Sequence, residues 1–272
     1  MEEIEEMELG EEIVHIIPLG HEIDRAVKPF ERYKANRAYI LSVTDGFGKY
    51  SREMVKEQEY YVNTVTKILE KYGIKVILRN VDMFNILELI KNISNIIVEE
   101  KSKGNQVYVN ISSAGRLASV AAYLAAMAHN AKAYYVVADR YSTSKMEKKK
   151  HGISICEKLR INFLETFRMH LPKENEMKVL IKLCEKPEGM KTSDLVVYLA
   201  SQGVEAFKEQ AGKKWEEISR KNKINCLMKL NKGILDKLEA NGYIKREKVG
   251  RYNTIKITKA GIYVAYISGK LK

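Results

Sequence analysis

Residues 106–137 read QVYVNISSAGRLASVAAYLAAMAHNAKAYYVV, and this stretch decides the fold of the first half of the chain. Its apolar ends, residues 106–111 and 133–138, predict two buried strands, and the alanine-rich residues 113–130 predict a helix between them. A strand, a helix and a second strand in this order form the βαβ unit of a parallel sheet. The turn NISSAGR (110–116) brings a glycine and an arginine to the start of the helix, where free backbone N–H groups attract anions.

Three more predicted strands, each followed by a helix, precede this unit. Apolar runs predict strands at residues 13–17, 37–43 and 74–78, and helical periodicity predicts helices at residues 22–33, 51–72 and 82–103. Pro29 is expected to shorten or bend the first helix, and Asp82 is expected to cap the third. The alternation predicts an α/β fold, a Rossmann-like doubly wound parallel sheet with helices on both faces.

This topology indicates where a ligand would bind. In doubly wound sheets, ligands lie beyond the carboxyl ends of the strands, at the point where the strand order reverses. For the common order 3-2-1-4-5 that point lies between strands one and four, so the loops at residues 18–21 and 112–116 are predicted to meet there. The chain contains neither a GxGxxG nor a GxxxxGK[ST] pattern, so its motifs are not those of a nicotinamide dehydrogenase or a P-loop protein.

The turn at residues 110–116 contains groups that bind phosphates and nucleobases. Asn110 supplies an amide, and Ser112 and Ser113 supply hydroxyls. Gly115 allows a close backbone approach, and Arg116 supplies a guanidinium. Two alternatives stay open: a serine that only caps the helix, and an alanine-rich helix that is covered by its own domain rather than by a two-fold partner.

The second half of the chain predicts a small α+β domain. Helices are predicted at residues 173–185, 194–201, 222–241 and 259–271, and strands at residues 243–247 and 252–258. Helices followed by a hairpin are typical of a winged helix-turn-helix. A polar segment at residues 205–220 is predicted to be helical, with Trp215 used for packing. Residues 139–154 predict an exposed connection, and residues 153–167 predict one or two further strands.

The charge of the chain permits a polyanionic partner, since the net charge is +12 and residues 165–272 contain 23 Lys and Arg against 13 Asp and Glu. Basic side chains lie on or near the expected recognition helix at residues 222–241 (Lys221, Lys223, Lys229 and Lys232) and on the wing (Lys245, Arg246, Lys248 and Arg251). These are the two elements of a winged helix that touch DNA. We therefore predict binding to double-stranded DNA, although one lysine alone is typical of a solvated surface.

The composition and the cysteine spacing exclude several other classes of protein. With 45% hydrophobic and 30% charged residues, the chain has the composition of a globular protein, and no apolar run is long enough to span a bilayer. Cys156, Cys184 and Cys226 form no CxxC pair, which excludes a disulfide framework or a cysteine-based zinc site. We expect a cytoplasmic protein without a metal or cofactor, and a disordered acidic tail at residues 1–11.

A family resemblance follows from these motifs. Strand four followed by NISSAGR and a small-residue helix, together with the turn PLGH after strand one, resembles the CARF (CRISPR-associated Rossmann fold) domains over residues 12–170. Such domains commonly carry Asn, then Thr or Ser, Gly, and Arg or Lys at this turn. The run LxxLExNGYI (235–244), then GR (250–251) and ITKAG (257–261), resembles MarR/ArsR-type winged helices over residues 171–272.

The resemblance implies an archaeal CARF-domain winged-helix transcriptional regulator. CARF domains pair as homodimers and bind cyclic oligoadenylates across the two-fold axis with these turns. The implied ligand-binding residues are Pro18, Leu19, Gly20, His21, Asp45, Gly46, Phe47, Asn110, Ser112, Ser113, Gly115 and Arg116.

Two alternatives differ from this hypothesis in function. The first is a ring nuclease that cleaves its cyclic nucleotide, using Arg116, Ser112, His21 and Lys49; the sequence contains no paired carboxylates to support it. The second is a regulator that senses an unrelated nucleotide or metabolite.

Overall fold

The computed structural model describes residues 11–167, 169–249 and 252–271. The chain divides into two compact units, Met1–Met169 and His170–Lys272. The predicted acidic tail, Glu11 excepted, and the predicted wing residue Arg251 lie outside the described residues. Within the described ranges, no helix is both long and apolar enough to cross a bilayer.

The first unit is built on a single main sheet. Its strands are β1 (Ile13–Pro18), β2 (Arg37–Ser42), β3 (Lys75–Asn80), β4 (Gln106–Asn110), β5 (Lys132–Val136), β6 (Arg140–Tyr141), β7 (Ser154–Ile155) and β8 (Ile161–Leu164). Its helices are α1 (Asp24–Val27), α2 (Arg52–Lys71), α3 (Ile86–Ser102), α4 (Arg116–Ala128) and α5 (Lys145–His151).

The six-stranded sheet has the order β3-β2-β1-β4-β5-β8. Its first five strands are parallel, and β8 runs antiparallel to β5. In β1, Ile17 belongs to the hydrophobic cluster that contains Ala26 of α1 and Val65 of α2. Val14 and Ile16 are also fully buried, and they face the other side because successive side chains of a strand alternate. The predicted α/β fold and the order 3-2-1-4-5 are confirmed.

Three helices begin at other residues than expected. Residues 22–33 form only the four-residue α1 and a 3₁₀ turn, Lys28–Glu31, because Pro29 cannot donate in a helix. The predicted cap at Asp82 is wrong: α3 begins at Ile86, and the side chain of Asn85 accepts from the N–H groups of residues 87 and 88. The alanine-rich helix α4 begins at Arg116, with Gly115 as an N-cap that has no side-chain hydrogen bond.

Residues 139–156, which include the predicted exposed connection, instead form β6, α5 and β7, held against α1. The Glu22 carboxylate accepts hydrogen bonds from the Ser154 hydroxyl (2.6 Å) and N–H (3.0 Å). Asp24 accepts from the Cys156 N–H (2.9 Å) and lies 3.1 Å from Nδ1 of His151. We call residues 139–156 the strap.

The second unit has the elements of a winged helix-turn-helix. They are α6 (Glu174–Cys184), β9 (Met190–Lys191), α7 (Thr192–Ser201), α8 (Arg220–Leu230), α9 (Asp236–Ala240), β10 (Ile244–Val249), β11 (Tyr252–Ile257) and α10 (Lys259–Ile267). The hairpin strands β10 and β11 pair antiparallel, and β11 also pairs with β9. The predicted winged helix-turn-helix is confirmed.

Two predictions for this unit were wrong in detail. The single helix expected at residues 222–241 is divided into α8 and α9 by a π-helical turn, Asn231–Leu235, which contains the helix-weakening Gly233. Residues 205–220 form two 3₁₀ turns rather than a helix, because Gly212 has a φ of +77°. Phe207 is buried and Trp215 packs against the core, as expected of a packing residue.

Gly152 fixes the strap to the loop after β1. Its φ of 85° and ψ of −159° lie in a region that only glycine populates readily. A Cβ there would lie 2.5 Å from the Ile23 nitrogen and 2.7 Å from the His21 carbonyl oxygen. We expect Gly152→Ala to lower the stability of the first unit by about 3 kcal/mol, measured by hydrogen exchange of β1 peptides in the full chain.

Gly104 provides the matched control. Its φ is +83°, but a Cβ added at this position would meet no described atom within 4 Å. Gly104→Ala should therefore cost only about 1 kcal/mol of backbone strain. Equal losses for the two substitutions would contradict the steric argument.

Candidate functional site

The loops that follow β1 and β4 meet, as the strand order requires. The N–H of Gly20 donates to the carbonyl of Ser113 (2.8 Å). The Ser113 hydroxyl donates back to the carbonyl of Pro18 (2.8 Å). The two predicted loops therefore form one connected structure at the carboxyl edge of the sheet.

The polar side chains of the second loop are directed into the protein. Asn110 donates to the carbonyl of Arg25 (2.9 Å), and its Oδ1 accepts from the N–H (2.8 Å) and hydroxyl (2.7 Å) of Ser112. The hydroxyl oxygen of Ser112 also accepts a hydrogen bond from the N–H of Val136 (3.0 Å). Asn110, Ser112 and Ser113 are all buried, so their side chains shape the loop. The alternative that a serine caps α4 is wrong, since neither hydroxyl bonds to the first turn.

A cavity of about 350 Å³ lies beside the two loops. Gly20, His21, Gly115 and Arg116 line it, and so does Leu19. The apolar part of its wall comes from Val43, Met54, Met83, Phe84, Leu117 and Ile153. Ile153 belongs to the strap, and its N–H donates to the carbonyl of His21 (2.8 Å).

The start of α4 lies at the wall of this cavity. The first N–H groups of a helix have no partner within the helix, and α4 has no side-chain cap. Residues Gly115 to Ala118, which include that first turn, line the cavity. The exposed Arg116 adds a positive charge at the positive end of the helix dipole. This end of the cavity can hold a phosphate.

The cavity wall contains a histidine, His21, which lies near a carboxylate. Its ring stacks on Tyr61 with centroids 4.7 Å apart, and its Nδ1 lies 3.7 Å from Glu57. Burial lowers the pKa of His21, which outweighs the opposing effect of Glu57. The imidazole is therefore neutral at neutral pH and can accept a proton.

The side chain of Gln58 supports the loop after β1 through hydrogen bonds. It is buried, and its amide nitrogen lies 3.0 Å from the carbonyl oxygen of Leu19 and 2.7 Å from the Ser42 hydroxyl. The sequence gives no sign of this contact, because Gln58 is one polar residue among many in α2.

Other implied ligand residues lie elsewhere. Among the described residues of the loop after β2, Asp45 and Phe47 do not line the cavity, and Oδ1 of Asp45 accepts from the N–H of Phe47 (2.9 Å). Pro18 contributes its carbonyl to the loop contact. Lys49, invoked for the ring-nuclease alternative, pairs with Asp82 (3.2 Å).

The sequence analysis did not predict most of the apolar residues of the cavity wall, although the topology of the sheet points to several of them. Loops that follow neighbouring parallel strands reach the same edge of a sheet. Val43 and Met54 follow β2, while Met83 and Phe84 follow β3, so they belong to that edge. The helix predicted at residues 82–103 would include Phe84; instead this residue lies before α3 and is largely exposed.

The second unit presents an exposed face on α8. Lys221 and Lys229 on α8 and Lys232 just beyond it are exposed, and Lys229 also donates to the carbonyl of Ala206 (3.3 Å). Lys223 is partly buried, with its ammonium 5.6 Å from the Trp215 ring centre. Ile224, Asn225 and Met228 are exposed at helical spacing among these lysines. Together they form a mixed basic, polar and apolar surface.

The basic residues of the wing have carboxylate neighbours. Lys245 lies 2.5 Å from Glu247, which also pairs with Lys256 (2.7 Å). Arg246 pairs with Asp236 and with Glu239 (3.1 Å), and so connects β10 to α9. Lys248 is exposed.

Among the described residues, no group of three or more His, Cys, Asp and Glu side chains is arranged to hold a metal ion.

Two family models match this chain. Residues 13–141 match the model described as HFX_2341_N-like, N-terminal, and residues 175–269 match the DUF6293 C-terminal winged helix domain. The second unit therefore matches a DUF6293 C-terminal winged helix domain over nearly all of its length. The expected order of a Rossmann-like domain followed by a winged helix is confirmed.

More distant similarities were also found. The uncharacterized protein MJ1513 of Methanocaldococcus jannaschii is 24% identical over 147 residues, which cover 52% of this chain and 42% of that protein. Csm6 of Enterococcus italicus bound to cyclic hexa-2′-fluoro-hexa-dAMP is 12% identical, with a TM-score of 0.42 over 82% of this chain and 55% of that one.

Two further solved structures have comparable similarity. Can2 of Sulfobacillus thermosulfidooxidans in complex with cyclic tetra-adenylate is 15% identical, with a TM-score of 0.39 over 94% of this chain and 61% of that one. Protein VC1899 of Vibrio cholerae is 13% identical, with a TM-score of 0.39 over 94% and 66%. The chain thus spans less than two thirds of each of these relatives.

The site geometry separates residues that shape the loop from residues that face the cavity. Asn110→Ala leaves several buried groups without partners, and we expect it to lower the stability of the first unit by about 2 kcal/mol. Arg116→Ala removes an exposed side chain and should change stability by less than about 0.5 kcal/mol. Hydrogen exchange of the β1 and β4 peptides measures both, and equal effects would contradict this division.

Proposed function

We propose that this protein is a homodimeric, DNA-binding transcription regulator whose first unit senses a nucleotide. The observation that carries the proposal is that one chain combines the cavity at the start of α4 with a winged helix whose α8 presents a basic exposed face. A ligand-binding unit joined to a DNA-binding unit is the composition of a ligand-responsive regulator.

The cavity wall supports a nucleotide as the ligand. Phe84, Met54 and Met83 offer apolar and aromatic surface to a base. The uncapped start of α4 and Arg116 offer N–H groups and a guanidinium to a phosphate. Cyclic oligoadenylate is the first nucleotide to test, because the turn at residues 110–116 resembles the corresponding CARF turn.

The exposed side of α4 supports the homodimer. Leu117 and Val120 are 40% and 52% exposed on a helix whose alanines are mostly buried. Pairing two copies along this side would cover both residues and bring two α4 N-termini near one axis. A ligand shared between the copies would then change the spacing of the two winged helices, and so the affinity for a palindromic DNA site.

The surface of α8 supports reading of the DNA major groove. Lys221 and Lys232 suit phosphate contacts, which give affinity without sequence information. Asn225 has the amide that pairs with adenine, and Ile224 and Met228 suit contact with thymine methyl groups. In this assignment the DNA bases are recognised by Ile224, Asn225 and Met228, and not by the lysines that the sequence analysis singled out.

Arg116 should be required for nucleotide binding. We expect Arg116→Ala to weaken binding of cyclic tetra-adenylate at least about tenfold, because it removes a charge-assisted phosphate contact. Isothermal titration calorimetry of the full chain measures this. Arg32→Ala, an exposed arginine outside the cavity wall, is the matched control and should bind as the wild type does. Unchanged affinity in Arg116→Ala would contradict the site.

A ring nuclease is the second candidate, favoured by one observation, the neutral His21 in the cavity wall. Its imidazole can take the proton of a ribose 2′-hydroxyl, whose oxygen forms a bond to the adjacent phosphorus. The bond from phosphorus to the 5′-oxygen breaks, and the 5′-oxygen takes up a proton. The product carries a 2′,3′-cyclic phosphate. Of the groups first invoked, Ser112 is buried and Lys49 is paired, so only His21 and Arg116 remain.

Product analysis separates the two candidates. Wild type and His21→Ala are incubated with cyclic tetra-adenylate, and the nucleotide is analysed by liquid chromatography with mass spectrometry. A regulator alone leaves the ring intact in both samples. Linear products that disappear in His21→Ala would identify the nuclease.

The DNA-binding assignment predicts two different mutant phenotypes. An operator is first selected from a random double-stranded DNA library. In fluorescence anisotropy, Lys221→Gln with Lys232→Gln should weaken binding to operator and random DNA alike, and reduce the slope of log affinity against log salt by about two. Asn225→Ala should weaken operator binding by about tenfold or more and leave random DNA unaffected.

Lys178→Gln is the control for general charge loss, since Lys178 lies on α6 and pairs with Glu174 (3.1 Å). Its DNA affinity should equal that of the wild type. Failure to select any sequence over random DNA would overturn the regulator hypothesis.

A further inference from the structure

A second cavity lies at the opposite end of the strands from the nucleotide site. Its volume is about 490 Å³, and all of its lining residues belong to the first unit. His15, in its wall, precedes the end of β1 at Pro18 by three residues, or about 10 Å of strand. The proposed nucleotide site lies beyond that end.

The register of the sheet explains why this cavity is aromatic. His15 pairs with Tyr108, Tyr108 pairs with Lys132, and Tyr134 pairs with Phe163. Residues paired in register share one face, as do residues two apart on one strand. The sheet therefore presents His15, Tyr108, Lys132, Tyr134 and Phe163 on the face that bears α1.

The rings form a connected wall rather than a closed core. His15 stacks on Tyr108 with centroids 5.0 Å apart, and Phe163 meets Tyr33 edge-on at 6.1 Å. Phe163 remains 50% exposed and Tyr33 remains 44% exposed, although both rings line a cavity. Half-exposed rings around an open volume favour a flat aromatic ligand, which would bury them by stacking.

The charged side chains of the wall favour a ligand with a negative charge. Lys34 and Lys132 contribute two ammonium groups, and Glu165 contributes one carboxylate. Lys132 donates to the Tyr108 hydroxyl (3.1 Å), so its charge lies beside the rings. Burial lowers the pKa of His15 to about 3, so this ring adds no charge near neutral pH. The described residues of the wall therefore carry a net positive charge.

We propose that this cavity is a second binding site, for a small planar aromatic molecule that carries an anionic group. The rings hold the planar part, and Lys132 and Lys34 hold the anion. The site is separate from the nucleotide cavity and does not depend on the function proposed for it.

The test uses naphthalene-2-sulfonate as the probe and its neutral analogue naphthalene-2-sulfonamide as the comparison. Both are titrated into the full chain, with ¹³C-labelled isoleucine methyl groups observed by NMR. Ile13 and Ile161 line the cavity, so their signals should shift with saturation. The sulfonate should bind at least about threefold more tightly than the sulfonamide, as expected for contacts with exposed ammonium groups.

Variants locate the two parts of the site. Phe163→Ala should weaken both probes about tenfold. Lys132→Gln should weaken only the sulfonate, by about threefold. Tyr72→Ala, a similarly exposed aromatic residue outside the cavity wall, should change neither affinity.

Three results would overturn the proposal. They are unshifted Ile13 and Ile161 signals at saturating probe, equal affinity for the two probes, and unchanged sulfonate binding in both Phe163→Ala and Lys132→Gln. Sulfonate affinity should also stay constant through any titration of His15 between pH 6 and 8, because burial lowers the pKa of this ring to about 3.

Discussion

Asn110 and Arg25 hold the loop after β4 against α1 through buried hydrogen bonds. Asn110 donates to the carbonyl of Arg25, and the guanidinium of Arg25 reaches back to the carbonyl of Ser112 (3.3 Å) and to the Tyr135 hydroxyl (3.1 Å). Both side chains are buried, where such polar contacts are strong and costly to break. The loop after β4 and the short helix α1 are therefore joined by buried hydrogen bonds.

The same short segment also anchors the strap. Glu22 precedes α1, and Asp24 begins it; their carboxylates hold Ser154, Cys156 and His151. Burial raises the pKa of Glu22, although the bonds from Ser154 oppose this. About four residues of chain thus contact the sheet, the loop after β4 and the strap, and the strap contributes Ile153 to the cavity wall.

The sequence was sufficient for the order of the sheet and insufficient for the roles of the polar residues. Apolar runs and their spacing define strands, because burial depends on residue type and period. Asn and Ser, in contrast, bond equally well to a ligand or to nearby backbone. In this protein Asn110, Ser112 and Ser113 bond to the chain itself, and only the three-dimensional structure distinguishes these outcomes.

The helix starts illustrate the same limit. Asp82 and Asn85 are both good capping residues, and only the path of the chain selects Asn85, while Asp82 accepts from the Tyr50 hydroxyl (2.6 Å). In the second unit, Gly212 and the burial of Phe207 override the helical pattern of residues 205–220. The antiparallel hairpin of β10 and β11, which depends on local signals, was predicted correctly.

The carboxylates beside the wing carry a consequence for selectivity. Lys245 and Arg246 already have intramolecular counter-ions in Glu247, Asp236 and Glu239. In the proposed function, a DNA phosphate that approaches either residue must compete with an acid that is always present at high local concentration. These pairs would weaken the attraction of the wing for any polyanion, so that α8 would supply most of the affinity for DNA.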